Sequence, residues 1–284
     1  MIVRAHGKLN LSLDILGRTP DGYHDLRTVM QSVEFGDDVE VELRRDGRFT
    51  LDPGQSYLPA DGRNLAVKAA QLFLQGTGLG ADIRVTKRIP VCAGMGGGSA
   101  DGAAVLRALN RLTGRNMPVE ELCRFGLQVG SDVPFCVAEG AALAEGRGEK
   151  LTPLPCLAHC AIVICKPAFA MSTPELFLRS DSRKSRLRPD TAGIVSALEA
   201  GDVAGVARRM YNVFEDVLDP RQGEILSIKA RLMDMGAAGA VMTGSGSAVF
   251  GLFLDDDAAK AAYDGLSSRY KECYLTRPSP AAEL

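Results

Sequence analysis

Four glycines, Gly94, Gly96, Gly97 and Gly98, crowd into the segment Pro90-Val91-Cys92-Ala93-Gly94-Met95-Gly96-Gly97-Gly98-Ser99-Ala100, just ahead of a small-residue run at helical spacing. Each glycine costs roughly 0.5–1 kcal/mol of chain entropy, so such density needs a reason, and close approach of backbone to a ligand is one. A loop at a helix start aims free N–H groups and the positive end of the helix dipole at an anion, most often a phosphate. Ser99 can add a hydroxyl or help hold a metal. The plain alternative is a flexible turn with Ser99 as an ordinary N-cap.

The familiar phosphate and acyl-transfer loops do not fit. No Gly-Lys-Ser/Thr follows, as a Walker A loop requires, and the dinucleotide fingerprint breaks at Ser99. A nucleophile elbow fails because Gly102 comes one residue late. A second cluster, Thr243-Gly244-Ser245-Gly246-Ser247, lies inside the uncharged run Met235 to Leu254. That run is long enough to span a bilayer. Its five glycines and three hydroxyl residues, with no basic or aromatic flank, read instead as strand (240–242), turn, strand (248–254).

Elements must hold these clusters in place. Lys8 to Ile15 alternates apolar with polar residues and predicts a half-buried strand with Lys8 at its head. Val39 to Leu43 alternates again, after a turn over Gly17 to Gly22. Helices are expected over Asn64 to Leu74, Ala100 to Leu112, Glu120 to Val129, Thr191 to Tyr211, Arg221 to Met235 and Ala258 to Lys271, and strands over Ala81 to Thr86 and Ala161 to Cys165. Pro153 and Pro155 mark a seam, giving two domains, 1–155 and 156–284. The basic stretch Arg179, Arg183, Lys184, Arg186 and Arg188 reads as a solvated loop, although it could attract a phosphorylated ligand.

Composition narrows the class. With 33 Lys and Arg against 35 Asp and Glu, the net charge of −2 excludes a nucleic-acid binder acting through bulk charge. Seven cysteines at irregular spacing argue for reduced thiols. Cys156, His159, Cys160 and Cys165 lack the paired spacing of a zinc site. Without an apolar h-region near the start, the expected compartment is cytoplasmic, with no membrane partner.

Three segments carry a resemblance: Ala5-His6-Gly7-Lys8-Leu9-Asn10-Leu11, the loop from Pro90 to Ala100, and Met242 through Thr243-Gly244-Ser245-Gly246-Ser247 to Phe250. In order, they resemble the three motifs of the galactokinase, homoserine kinase, mevalonate kinase and phosphomevalonate kinase (GHMP) superfamily, over nearly the whole chain. Asp21-Gly22-Tyr23-His24 and Gly130-Ser131-Asp132-Val133-Pro134 look like its branch acting on a cytidine-diphosphate-linked methylerythritol, in the non-mevalonate route to isoprenoids.

The resemblance implies an α+β, two-domain GHMP kinase fold. Its N-terminal half would resemble the second domain of ribosomal protein S5 and its C-terminal half a ferredoxin-like fold, with ATP and Mg²⁺ bound between them. It implies Asp132 as the base taking the substrate hydroxyl proton and Lys8 as the cation beside it. Phosphoryl transfer needs in-line positioning and neutralised charge, so these residue types suit it. On the residues alone, Asp132 is equally a helix cap and Lys8 a solvated strand end. ATP would meet Asn64 and the loop Pro90 to Ala100. Asn64 is also a good N-cap.

For the acceptor, the resemblance implies that Tyr23 stacks on cytosine, His24 bonds its edge, and Asn10 faces the erythritol and phosphate end. Thr173 and Phe177 would close the sandwich, and Thr243, Gly244, Ser245 and Gly246 the far wall. Stacking of a base contributes roughly 1–3 kcal/mol. The alternatives are a turn aromatic and a surface histidine. A monomer or weak homodimer is implied. The rivals are a homoserine or mevalonate type of kinase, a nucleotide-binding module without catalysis, and an acyl hydrolase built on Ser99, which has only three histidines to draw on.

His6, Gly7, Cys92 and Gly102 depart from the family pattern, and none removes a donor or charge that the chemistry requires. Cys92 would place a thiol beside the nucleotide. Labelling of that thiol should be slowed by ATP, and the protected fraction should vanish in Cys92→Ala; labelling indifferent to ATP would refute this placement.

Overall fold

The computed structural model describes residues 1–183 and 187–282. Two long strands, β1 (Ile2–Arg18) and β2 (His24–Arg44), form an antiparallel hairpin that runs from Ile2 opposite Glu40 to Arg18 opposite His24. Next come β3 (Phe49–Asp52), α1 (Leu65–Phe73), β4 (Gly80–Thr86), α2 (Gly97–Leu112), α3 (Val119–Val129), α4 (Val133–Ala138), β5 (Ala141–Gly146) and β6 (Lys150–Leu154). The remaining elements are β7 (Ala161–Lys166), α5 (Thr173–Ser182), α6 (Thr191–Glu199), α7 (Val203–Arg209), β8 (Tyr211–Asn212), α8 (Gly223–Asp234), β9 (Gly239–Met242), β10 (Val249–Phe253), α9 (Asp256–Ser267) and β11 (Glu272–Thr276).

The strands make two sheets. One follows the order β3-β4-β2-β1-β8, with β5 on the first half of β2 and β6 beyond it; the other is β11-β7-β10-β9. Two apolar cores result. The larger packs the first sheet against α1, α2 and α3 and also takes in Ile194 and Val206 from α6 and α7. The smaller packs the second sheet on α8 and α9 through Ile225, Ile228, Leu232, Ala259 and Leu266.

Several expectations needed correction. The strand at Lys8 is not half-buried: Lys8, Asn10, Ser12 and Asp14 are as buried as the leucines between them. Alternation marks two faces, but here the polar side chains are covered too, by Asp132 beside Lys8, Thr243 against Asn10 and Arg188 on Asp14. Residues Thr191 to Tyr211 form two helices, broken at Ala200-Gly201-Asp202, where the Asp202 side chain caps the second by accepting from Gly205 N. The last helix begins at Asp256, two residues early, because Asp255 caps it. Asn64 is an N-cap, accepting from Ala66 N. Ser99 is not one, for α2 begins at Gly97 with Gly96 as its cap residue.

The basic stretch is only partly loop. Arg179 lies in the last turn of α5 and Arg188 pairs with Asp14 at 2.6 Å, whereas Lys184 and Arg186 lie outside the described residues. Cys156, His159, Cys160 and Cys165 do not share a centre: Cys156 meets the Ser279 carbonyl, His159 meets Arg277, and Cys165 stands across from Cys273. Met235 to Leu254 is indeed strand, turn and strand, with Met242 opposite Val249. Among the described residues no helix is long and apolar enough to cross a membrane.

Phe250 on β10 is fully buried in the larger core. Truncating such a ring removes its burial and leaves a cavity. Phe250→Ala should therefore cost about 3–5 kcal/mol, read from chemical denaturation midpoints.

Candidate active site

The glycine segment is tied down on both sides. The Met95 carbonyl accepts from Lys8 N at 3.0 Å, which fastens the loop to β1, and the Ala93 carbonyl accepts from Ala248 N at 3.2 Å, which fastens it to the turn between β9 and β10. The backbone fit is close. A Cβ on Gly94 would lie 2.1 Å from the Thr243 carbonyl oxygen, and one on Gly96 3.1 Å from Lys8 Cγ. Both positions have positive φ, +77° and +69°, which favours glycine. The first turn of α2 therefore opens beside Lys8, with its free N–H groups as an anion cradle.

Beneath the loop lies a buried charge cluster. Lys87 Nζ donates to Asp37 Oδ2 at 2.6 Å and to Asp101 Oδ2 at 2.7 Å. Asp37 Oδ1 accepts from Ile89 N at 2.7 Å and also from Arg88 N, so β2, the Ile89-Pro90 lead-in and α2 are joined at one point. Burial would lower the Lys87 ammonium, but the two carboxylates outweigh it and hold it up. Burial pushes the Asp101 carboxyl up to about 7, against the pull of Lys87 and with Asp37 adding to the rise. Among the described residues, Asp101 Oδ1 has no hydrogen-bond partner.

Lys8, Asn10 and Asp132 converge although 124 positions separate the outer two. Lys8 Nζ donates to Asn10 Oδ1 at 2.7 Å and stands 3.7 Å from Asp132 Oδ2. Lys8 is 5% exposed. Asp132 occupies the cap position of α4, but its side chain makes no capping bond and remains available to the cleft. Asn10 is oriented by donating to Thr28 Oγ1 at 2.8 Å.

The turn after β9 forms the opposite wall. Thr243 Oγ1 accepts from Asn10 N at 3.0 Å, and Asn212 Nδ2 donates to the Met242 and Gly244 carbonyls at 2.8 Å each. Thr173 Oγ donates to Ser245 Oγ at 2.7 Å, linking α5 to this turn.

The glycine loop, Lys8, Asn10, Asp132 and the turn after β9 border a cleft of about 1240 Å³. The structure brings Lys8, Asn10, Tyr23, His24, Gly94, Gly96, Asp132, Thr173, Phe177, Gly244 and Ser245 to its lining. It keeps Asn64, Pro90, Val91, Cys92, Ala93, Met95, Gly97, Gly98, Ser99, Ala100, Thr243 and Gly246 off that lining, behind or beside the loop. Asn64 spends its side chain on the α1 cap and the Pro59 carbonyl.

The aromatic end has its own order. Tyr23 is 55% exposed. The His24 ring stacks on Phe177 at 4.2 Å, so that face of Phe177 is taken by the histidine rather than left open toward Tyr23. Phe177 packs edge-on against Phe214. Asp181 accepts from His24 at 2.9 Å, and this bond with the nearby Arg18 holds the Asp181 carboxyl below its usual range.

Sequence reasoning missed Arg18, Arg147 and Glu149 on the cleft wall and Asn212 behind the turn. Gly146-Arg147-Gly148-Glu149, a charged pair interleaved with glycines, was a readable turn signal. Nothing local marked Asn212 or the Asp37–Lys87–Asp101 cluster. Chemically, the cleft offers a carboxylate beside a desolvated ammonium and an anion cradle at one end, with aromatic faces at the other.

Comparison with known proteins identifies the family and the fold. The family model for the GHMP kinases N terminal domain matches residues 64–140, and that for the GHMP kinases C terminal region matches residues 194–272. A 4-diphosphocytidyl-2-C-methyl-D-erythritol kinase of Clostridium botulinum (strain Kyoto / Type A2) is 40% identical over 98% of this chain and 99% of its own. One from Alkaliphilus metalliredigens (strain QYMF) is 38% identical over 97% and 95%. A crystal structure of 4-(cytidine 5'-diphospho)-2C-methyl-D-erythritol kinase superposes with a TM-score of 0.81 at 30% identity, covering 98% of this chain and 99% of that one.

The buried Asp101 makes stability depend on pH. Its carboxyl is raised in the folded protein, so its contribution is fully present below the unfolded value near 3.8 and is lost as pH rises through about 7. Denaturation at pH 5 and pH 8 should show Asp101→Asn gaining stability relative to the parent at the higher pH. Parallel pH profiles for the two proteins would contradict the assignment.

Proposed function

The chain belongs to the GHMP kinases and, within them, to the 4-diphosphocytidyl-2-C-methyl-D-erythritol kinases, and on that footing we propose which of its residues carry the reaction. It is an ATP-dependent kinase that phosphorylates the 2-hydroxyl of 4-diphosphocytidyl-2-C-methyl-D-erythritol, on the way to isoprenoid precursors. The single observation that carries the residue roles is the meeting of Lys8, Asn10 and Asp132 beside Gly94 and Gly96.

Asp132 is the base. Its carboxylate faces the cleft without a capping bond and accepts the proton of the attacking hydroxyl. Lys8, desolvated and 3.7 Å away, keeps that carboxylate in place and offsets the negative charge that spreads over the transferring group. Asn10 fixes the lysine and faces the erythritol end of the cleft. The cradle from Gly94 to Ser99 takes the triphosphate. The close approach of Gly94 and Gly96 to their neighbours fits a loop that brings backbone, not side chains, to a ligand. Mg²⁺ would accompany the triphosphate and neutralise its charge, and the Ser99 hydroxyl in the first turn of α2 is the loop side chain that could help hold it. Asn64 lies next to this loop at the start of α1 and would border the adenine.

Cytosine lies between Tyr23 and the His24–Phe177 pair, with Thr173 closing the end of α5 over it. Gly244 and Ser245 form the far wall, with Thr243 and Gly246 behind them. Residues 1–155 then supply the ATP-binding half and 156–284 the wall and the lid of the base pocket. We place the enzyme in the cytoplasm, as a monomer or weak homodimer.

ADP release should be fast with 4-diphosphocytidyl-2-C-methyl-D-erythritol and negligible with homoserine or mevalonate. Asp132→Asn should lower kcat by about 10²–10⁴ with little change in the KM for ATP. Turnover of the other two alcohols alone would overturn the substrate, and an unimpaired variant would overturn the base.

A further inference from the structure

The cleft is ordered along its length. Tyr23, His24 and Phe177 stand at one end and Lys8, Asn10 and Asp132 at the other. The turn between β5 and β6, Gly146-Arg147-Gly148-Glu149, touches both. Arg147 Cζ lies 3.6 Å from the centroid of the Tyr23 ring. A Cβ on the next residue, Gly148, would lie 3.6 Å from Asp132 Oδ1. Arg147 N donates to Glu149 Oε2 at 2.6 Å, which helps set the shape of the turn.

A cytidine-diphosphate-linked alcohol has a matching order of base, ribose, diphosphate and polyol. With the base at the aromatic end and the hydroxyl at Asp132, the diphosphate has to pass the stretch of wall between them, and this turn forms it. The charges agree. Among the described residues, the Lys and Arg side chains lining the cleft are Lys8, Arg18 and Arg147. Lys8 is engaged with Asn10 and Asp132, and Arg18 sits at the aromatic end on Asp181, which also holds His24. Arg147 pairs with Asp21, and both side chains are open to water, at 43% and 53%. An ion pair so exposed is weak and exchanges its partner readily. A guanidinium also presents the planar fork that matches phosphate oxygens, and it can keep its face on an aromatic ring while doing so.

We propose that Arg147 is a specificity-determining residue that binds the diphosphate of the cytidylyl alcohol, exchanging Asp21 for the phosphate oxygens while its plane stays against Tyr23. The proposal rests on the substrate reading above. It makes the β5–β6 turn the element that tells a diphosphate-linked alcohol from an uncharged one, since Lys8 and Asp132 serve any acceptor hydroxyl.

Equilibrium binding of cytidine, CMP and CDP to the parent, Arg147→Met and Arg147→Lys separates the possibilities. The Met variant keeps the aliphatic stem over Tyr23 but has no charge. It should weaken CDP by about tenfold to a hundredfold, CMP by less, and cytidine by no more than about twofold, at an unchanged melting temperature. The Lys variant should recover part of the loss. Equal losses for cytidine and CDP would mean that Arg147 only supports Tyr23, and would overturn the proposal, as would CDP affinity that survives in the Met variant. A parent protein that binds neither cytidine nor CDP would instead overturn the substrate class, and the proposal with it.

Discussion

One buried ammonium organises this molecule. Lys8 comes from a strand that is covered on both faces, and its ammonium donates to an amide oxygen at 2.7 Å while the opposing charge is a carboxylate at 3.7 Å. A desolvated cation is costly unless it is hydrogen-bonded and paired, so Asn10 and Asp132 must both be in place for β1 to sit where it does. That requirement explains why strand, glycine loop and β9–β10 turn are laced together by backbone bonds. Met95 accepts from Lys8, Ala93 accepts from Ala248, and Thr243 accepts from Asn10. The chemistry and the packing of the two sheets thus share the same few contacts.

The second charge cluster does related work one layer down. Asp37, Lys87 and Asp101 join β2, the entry to the glycine loop and the first turn of α2. A loop with four glycines has few side chains with which to hold its own shape. Its position is therefore imposed from below by ion pairs and from the sides by backbone bonds. Burial is the main reason that the Asp101 carboxyl rises so far, and the second carboxylate, Asp37, adds to it against the pull of Lys87.

At the far end of the cleft the logic changes from buried charge to exposed, exchangeable contacts. Tyr23, Arg147, Asp21 and Arg18 lie in the open, with Arg147 against Tyr23 and Asp21, and Arg18 on Asp181. A site that must admit and release a nucleotide-linked substrate gains from partners that are cheap to give up. The end that performs the transfer gains from rigidity, because misplacement of a base or a cation lowers the rate directly.

The sequence by itself determined the elements and the chemistry-bearing clusters. Hydrophobic periodicity placed α1, α2, α3, β4, β7 and the β9–β10 hairpin to within a few residues, and the glycine density of residues 94–98 marked a backbone-lined loop, because these signals are local. Cap chemistry was local too, yet it was misread where two candidates competed: Gly96 rather than Ser99 starts α2, and Asp202 splits the stretch from Thr191 to Tyr211. Only the tertiary structure decided that β1 is buried on both faces, since the cover on its polar side comes from Asp132, Arg188 and Thr243, more than a hundred residues away. The same holds for the meeting of Lys8 with Asp132, the Lys87 cluster and Arg147 over Tyr23. Each pairs residues whose separation along the chain carries no signal, and burial, charge balance and shape act only once the chain has closed on itself.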